Sequence, residues 1–224
     1  MGIADLLLPD RCAACGCDAR GLCGECRESL VALRPPLCAL CGNPVAWPVD
    51  RCRECAGRRL AFASARAAVA YEGAAATMVG AWKDGGRRRL ARLAAEVVAE
   101  LVPAVDADIV TFVPGAPGRE LWRGFNPAEQ LALELAWRWR IPARRLLARV
   151  HSPRPQRGLP LAARRANVAG AFRGTAASPG AVVLVDDVYT SGATAAAAAS
   201  ALRRAGARRV DVVTFARTLR GGSR

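Results

Sequence analysis

The chain has no cysteine beyond residue 55, only one lysine and one histidine, and 12 aromatic side chains in 224 residues. The lone histidine, His151, stands beside a proline-rich stretch, so a Ser-His-Asp triad has no support. No uncharged run reaches the roughly 18 residues that span a bilayer. The longest, residues 35–49 and 188–202, contain proline, glycine or polar positions. Residues 1–5 carry no basic n-region and no long apolar core, so the sequence predicts a soluble, cytoplasmic protein without signal peptide or membrane insertion. Disorder is excluded by a composition that is 52% hydrophobic and 23% charged. Base stacking on single-stranded nucleic acid needs exposed aromatics. Trp137 and Trp139 fall in a helical pattern where core packing is the expected use.

Acidic residues are also in deficit, and unevenly. Residues 1–60 hold eight arginines against seven acids, a net +1; residues 61–224 hold 25 basic against 12 acidic residues, a net +13. A GC-rich genome accounts for arginine in place of lysine but not for the surplus over acids. The positive potential therefore lies in the second part, where it suits an anionic ligand such as a phosphorylated substrate or nucleic acid.

Eight of the nine cysteines form four pairs with one spacing: Cys12/Cys15, Cys23/Cys26, Cys38/Cys41 and Cys52/Cys55. A secreted disulfide framework fits poorly with the cysteine-free remainder, and a redox motif needs one such pair rather than four. Zinc explains the spacing, because two such turns bring four thiolates to one tetrahedral ion. Gly16 and Gly42, each following a second cysteine, suit the positive-φ turn that aims backbone N–H groups at the sulfurs. Cys12-Ala-Ala-Cys15-Gly16 recurs 26 residues later as Cys38-Ala-Leu-Cys41-Gly42, and Cys23-Gly-Glu-Cys26 recurs 29 residues later as Cys52-Arg-Glu-Cys55. We read two tandem zinc ribbons, Cys12/Cys15/Cys23/Cys26 and Cys38/Cys41/Cys52/Cys55, with an interleaved cross-brace as the alternative. Four thiolates leave no open position for catalysis, so both ions are structural. Metal binding would supply the folding free energy of so short a segment. Two such sites would bring residues 1–60 to a net charge of about −3, a poor grip on DNA phosphates. Cys17 is left over.

Beyond the cysteines, strands are expected at residues 66–71, 109–113, 181–185 and 210–215, and helices at 74–82, 87–102, 127–139 and 194–205. Asn126, Pro127 and Glu129 make a helix start as N-cap, N1 and N3. Residues 152–160, with three prolines, read as an extended loop. Alternating strands and helices predict an α/β fold with a doubly wound, mainly parallel sheet over residues 61–224, behind a small N-terminal zinc-ribbon domain over residues 1–60.

The run from Val182 to Thr194 carries the chemistry. Four apolar residues end in Asp186 and Asp187, and Thr190, Ser191, Gly192, Ala193 and Thr194 then open a helix. A helix N-terminus at the end of a parallel strand is a phosphate site, and the hydroxyls add donors. Carboxylates cannot face that phosphate, so they face hydroxyls or Mg²⁺. Phosphate plus diol describes a ribose 5-phosphate; the plainer alternative is an ordinary strand-to-helix turn with solvated acids. Arg119 and Arg123 are the cations nearest the loop after Val113-Pro114, and Lys83 precedes a glycine loop.

This run resembles the 5-phosphoribosyl 1-diphosphate (PRPP) motif of type I phosphoribosyltransferases. With the ribbons upstream, nearly the whole chain resembles the competence protein F (ComF) family, a double zinc ribbon followed by a phosphoribosyltransferase-like domain. The likeness includes Ala81-Trp82-Lys83, Val113-Pro114, Arg123-Gly124-Phe125-Asn126, Pro155-Gln156 with Gly158-Leu159, and the stretch from Arg164 to Phe172.

The resemblance implies PRPP binding with Mg, two zinc ions, and a link to DNA uptake. Asp186 and Asp187 would contact the ribose hydroxyls as the catalytic pair, and Thr190 to Thr194 the 5′-phosphate. Pro114 and the loop after it would hold pyrophosphate, and residues 153–165 would close as a flap. Departures fall at Gly115-Ala116, where the family has a bulky residue and a base, at Pro127 and at Pro160; the first bears on turnover more than on binding. Two functions follow. One is a phosphoribosyltransferase acting on a phosphorylated ribose substrate. The other is a non-catalytic accessory of DNA uptake that senses a nucleotide or meets single-stranded DNA or a helicase-like partner.

Overall fold

Alternate residues of the apolar runs face opposite layers in the computed structural model, which describes residues 11–150 and 170–219. Val182 and Leu184 pack in one core with Ile109, Val210 and Val212. Val183 and Val185 pack in the other with Val110, Phe112, Val213 and Phe215. A strand sends successive side chains to opposite faces, and continuous apolar runs mean that both faces are covered. Full burial of one such side chain, Leu184 for example, stabilises the fold by about 1.5–3 kcal/mol.

The strands are β1 (Ser64–Ala70), β2 (Ile109–Phe112), β3 (Leu147–Arg149), β4 (Phe172–Gly174), β5 (Ala181–Tyr189) and β6 (Arg209–Arg217). Four of them form a parallel sheet in the order β1-β6-β5-β2, while β3 and β4 pair antiparallel. Short helix α1 (Gly24–Glu28) precedes the sheet. Helices α2 (Gly73–Lys83), α3 (Leu90–Leu101) and α5 (Pro127–Trp139) cover one face, with short α4 (Pro117–Arg123) between the last two in sequence. Helix α6 (Ala193–Arg204) and the β3–β4 pair cover the other face. The expected doubly wound α/β arrangement is present.

The start of α5 follows its sequence signals. The Asn126 side chain accepts the Ala128 N–H and donates to the Val113 carbonyl, both at 3.0 Å, so one buried residue fixes both the helix start and the end of β2. Other boundaries differ. Helix α3 begins at Leu90 rather than 87, because residues 87–89 form a turn after Gly86. Strand β5 runs to Tyr189 rather than 185, paired along β6 throughout. Asp186 and Asp187 therefore sit inside a strand and not after it. Residues 31–33 lie against β1, where Leu33 N–H donates to the Ala68 carbonyl at 2.9 Å and Ala70 N–H to the Val31 carbonyl at 2.8 Å, covering that sheet edge.

The expected loop over residues 152–160, the flap over 153–165 and His151 lie outside the described residues. Among the described residues no helix is long and apolar enough to cross a membrane. Trp137 corrects the sequence expectation: it is 76% exposed, whereas Trp139 packs partly against the core.

Candidate functional site

The eight paired cysteines gather into two groups that are consecutive in sequence. The sulfurs of Cys12, Cys15, Cys23 and Cys26 lie within 4.8 Å of one another, as do those of Cys38, Cys41, Cys52 and Cys55. Individual separations are 3.7 Å for Cys15–Cys23, 3.6 Å for Cys38–Cys55, 3.5 Å for Cys41–Cys52 and 3.9 Å for Cys52–Cys55. Four sulfurs about 2.3 Å from one tetrahedral ion stand about 3.8 Å apart, so the donor set fits zinc. None of the nine cysteines is in a disulfide.

Backbone N–H groups favour the thiolate at Cys12 and at Cys38. Gly16 and Gly42 take the expected left-handed conformation, with φ of 81° and 69°. Burial works against the Cys12 thiolate, yet N–H groups of Cys15, Cys23 and Ala14 outweigh it and pull its pKa down to about 5. Cys38 falls to about 7 against burial, through the N–H groups of Cys41 and Cys52. Cys17 lies 3.4 Å from Cys15 and is pushed up to about 12, chiefly by its hydrogen bonding to that thiol.

The second cluster of functional groups stands where β5 meets α6. Gly192 is the N-cap residue of α6 at φ 71°, and a Cβ there would fall on the Tyr189 ring and hydroxyl. Thr190 is exposed, and Ser191, Ala193 and Thr194 are half-buried, so the turn opens to solvent. The Ser191 hydroxyl accepts the Ala193 N–H at 3.4 Å.

Asp187 pairs with Lys83, the last residue of α2, at 2.8 Å. The next residue, Asp84, pairs with Arg123 of α4 at 2.6 Å. Lys83 thus reaches Asp187 directly and Arg123 is held on the neighbouring Asp84, whereas Arg119 stands exposed. Burial, reinforced by the neighbouring Asp187 charge, pushes Asp186 up to about 7, while Lys83, the Asp187 N–H and Arg149 pull the other way.

Pro114 is buried, and its carbonyl accepts from Arg149 Nε at 3.1 Å. The Arg149 guanidinium lies 4.7 Å over the Phe172 ring. The Gly115 N–H donates to a Glu120 carboxylate oxygen at 2.7 Å. Sequence reading missed Arg149, Glu120, Arg58 and Arg217; nothing in their local pattern distinguishes them from solvated surface residues.

An acid pair and a partly exposed turn at a helix N-terminus on a parallel sheet, with two four-cysteine clusters ahead of them, define the class: an α/β protein with N-terminal zinc ribbons. A family model for the double zinc ribbon domain matches residues 3–56. DNA utilization protein YhgH of Salmonella typhimurium is 31% identical over 208 residues, 89% of this chain and 91% of that protein. The YhgH protein of Salmonella typhi is 30% identical over the same shares. The chain belongs to this family, the competence protein F (ComF) family.

Two solved structures overlap it in part. A glutamine PRPP amidotransferase from B. subtilis, complexed with ADP and GMP, is 26% identical at a TM-score of 0.38 over 58% of this chain. The chain spans only 26% of that enzyme. Protein TT1426 from Thermus thermophilus is 23% identical at a TM-score of 0.34 over 61% of this chain and 86% of its own. Overlaps this loose bear on neither ligand nor reaction.

Proposed function

We propose that the turn after β5 binds a ribose 5-phosphate group, with Mg-PRPP as its full ligand, and that the protein serves DNA uptake in the cytoplasm. One observation carries the reading: Asp186 and Asp187 stand near the end of β5, which runs through Tyr189 into a partly exposed turn at the N-terminus of α6. Free N–H groups and the hydroxyls of Thr190, Ser191 and Thr194 would hold the 5′-phosphate, and the carboxylates would accept hydrogen bonds from the ribose hydroxyls. Bound magnesium would offset pyrophosphate charge. Residues 1–60 would form a ribbon domain with two structural zinc ions, and residues 61–224 the ligand-binding domain.

For transfer, the C1–oxygen bond breaks, pyrophosphate leaves with the bonding electrons, and an acceptor nucleophile forms the new bond at C1. Lys83, Arg123 and Arg119 are the cations available to stabilise the leaving charge, and positioning with exclusion of water supplies the rest. No protein nucleophile is needed.

A second reading, ligand binding without turnover by a DNA-uptake accessory, is favoured by the Glu120 carboxylate on the Gly115 N–H, since an acid occupies a donor that pyrophosphate would want. Titration with Mg-PRPP, followed by assay of pyrophosphate release, separates the two. Binding that disappears in Asp187→Ala supports the site, and release of pyrophosphate supports the enzyme. Salt-sensitive binding of single-stranded DNA that ignores Asp187→Ala supports the accessory role. No Mg-PRPP binding by the wild-type protein contradicts the ligand site and with it the enzyme.

A further inference from the structure

Arg217, the last residue of β6, is a fully buried arginine at 1% exposure, aligned with Tyr189, the last residue of β5. Its guanidinium donates to the Cys41 carbonyl at 2.5 Å and to the Glu54 carboxylate at 3.1 Å. The same guanidinium lies 5.0 Å from the centre of the Tyr189 ring. Burying a charged side chain is costly unless it is paired, so this one holds a specific arrangement. Tyr189 in turn sits under Gly192, leaving no space for a Cβ. From the other side Arg58, three residues past Cys55, donates to the Ser191 carbonyl at 2.7 Å.

Both ties start from the second cysteine cluster. Cys41 is one of its members, Glu54 lies between two others, and Arg58 follows the last. The first cluster packs elsewhere: the Arg27–Glu100 ion pair at 2.6 Å joins its segment to α3, and Gly21 stands against Leu93.

We infer that the second ribbon is part of the frame of the phosphate turn, with Arg58 and Arg217 as positioning residues that hold Ser191 and Gly192 in register for a sugar phosphate. This rests on the proposed phosphate role of that turn. Metal at Cys38, Cys41, Cys52 and Cys55 would keep Glu54 and Arg58 in place and so reach the turn without touching its ligand. The two ribbons are therefore unequal: one braces α3, the other braces the site.

The test uses the full-length, metal-loaded protein with ribose 5-phosphate as probe, and two readouts. Arg58→Gln should weaken ribose 5-phosphate binding about tenfold, the loss expected for one charge-assisted hydrogen bond. It should also speed amide hydrogen exchange at residues 191–194, with metal content and melting temperature unchanged. Arg58→Lys should recover most of the affinity, and Arg27→Gln, which breaks only the ion pair to α3, should alter neither readout. Glu54→Gln should act in the direction of Arg58→Gln. Unchanged exchange at residues 191–194 in both Arg58→Gln and Glu54→Gln overturns the inference. Faster exchange in a protein that binds no ribose 5-phosphate upholds the positioning role and instead removes the phosphate reading.

Discussion

Glu120 accepts the Gly115 N–H at 2.7 Å, so the loop that follows Val113-Pro114 already holds an anion of the protein's own. A pyrophosphate bound there, as proposed, would have to displace that carboxylate or be repelled by it. The substitution Glu120→Gln keeps the shape and removes the charge. It should raise affinity for Mg-PRPP by roughly three- to tenfold, the range of one exposed to half-buried charge interaction. Affinity for ribose 5-phosphate, which has no pyrophosphate, should stay unchanged. Paired calorimetric titrations of the two ligands check this.

Asp186 sets a pH dependence. Its pKa in the folded protein, about 7 against an ordinary 3.8, means that the folded state holds a proton the unfolded chain has released. Its contribution to stability is therefore full below pH 4 and is lost as pH rises toward 7. Ribose hydroxyls donating to the carboxylate favour its ionised form, so binding near neutral pH should release part of a proton. Calorimetry at about pH 6.5, just below the raised pKa, in buffers of differing ionisation enthalpy should report that release, and Asp186→Asn should abolish it.

The metal clusters predict composition as well as stability. Elemental analysis should give about two zinc ions per chain, each held by four thiolates. Cys41→Ser should remove about one of them and lower the melting temperature. Acidification should release metal as thiolates protonate. A metal-free protein with unchanged melting would contradict the ribbon assignment.

Asn126→Ala removes the cap of α5 and the donor to the Val113 carbonyl together. Its cost should be about 1–2 kcal/mol, near the upper end for a cap because the residue is buried. Urea denaturation measures it, and a loss within a few tenths of wild type would contradict the double role.

Much of this was legible in the sequence because the signals are local. The cysteine spacing sorts the ligands into two groups, the continuous apolar runs mark strands that are covered on both faces, and Asn126-Pro127 marks a helix start. What escaped depends on partners distant in the chain. Strand β4 exists through pairing with β3, about 25 residues earlier. Helix α4 leaves Leu121 and Trp122 largely exposed, at 87% and 73%, and so lacks an amphipathic stripe. Arg217 looks like a polar strand end, and only the fold puts the Cys41 carbonyl and Glu54 around it. Asp186 and Asp187 look like loop residues because acids are rare in strands, yet β6 carries the pairing past them to Tyr189.

The most direct test of the central claim is a crystal structure of the protein soaked with ribose 5-phosphate. We expect the phosphate on the amides of residues 191–194 and the sugar hydroxyls within hydrogen-bond reach of Asp186 and Asp187. A phosphate bound elsewhere, or a turn left empty at saturating ligand, would contradict the account.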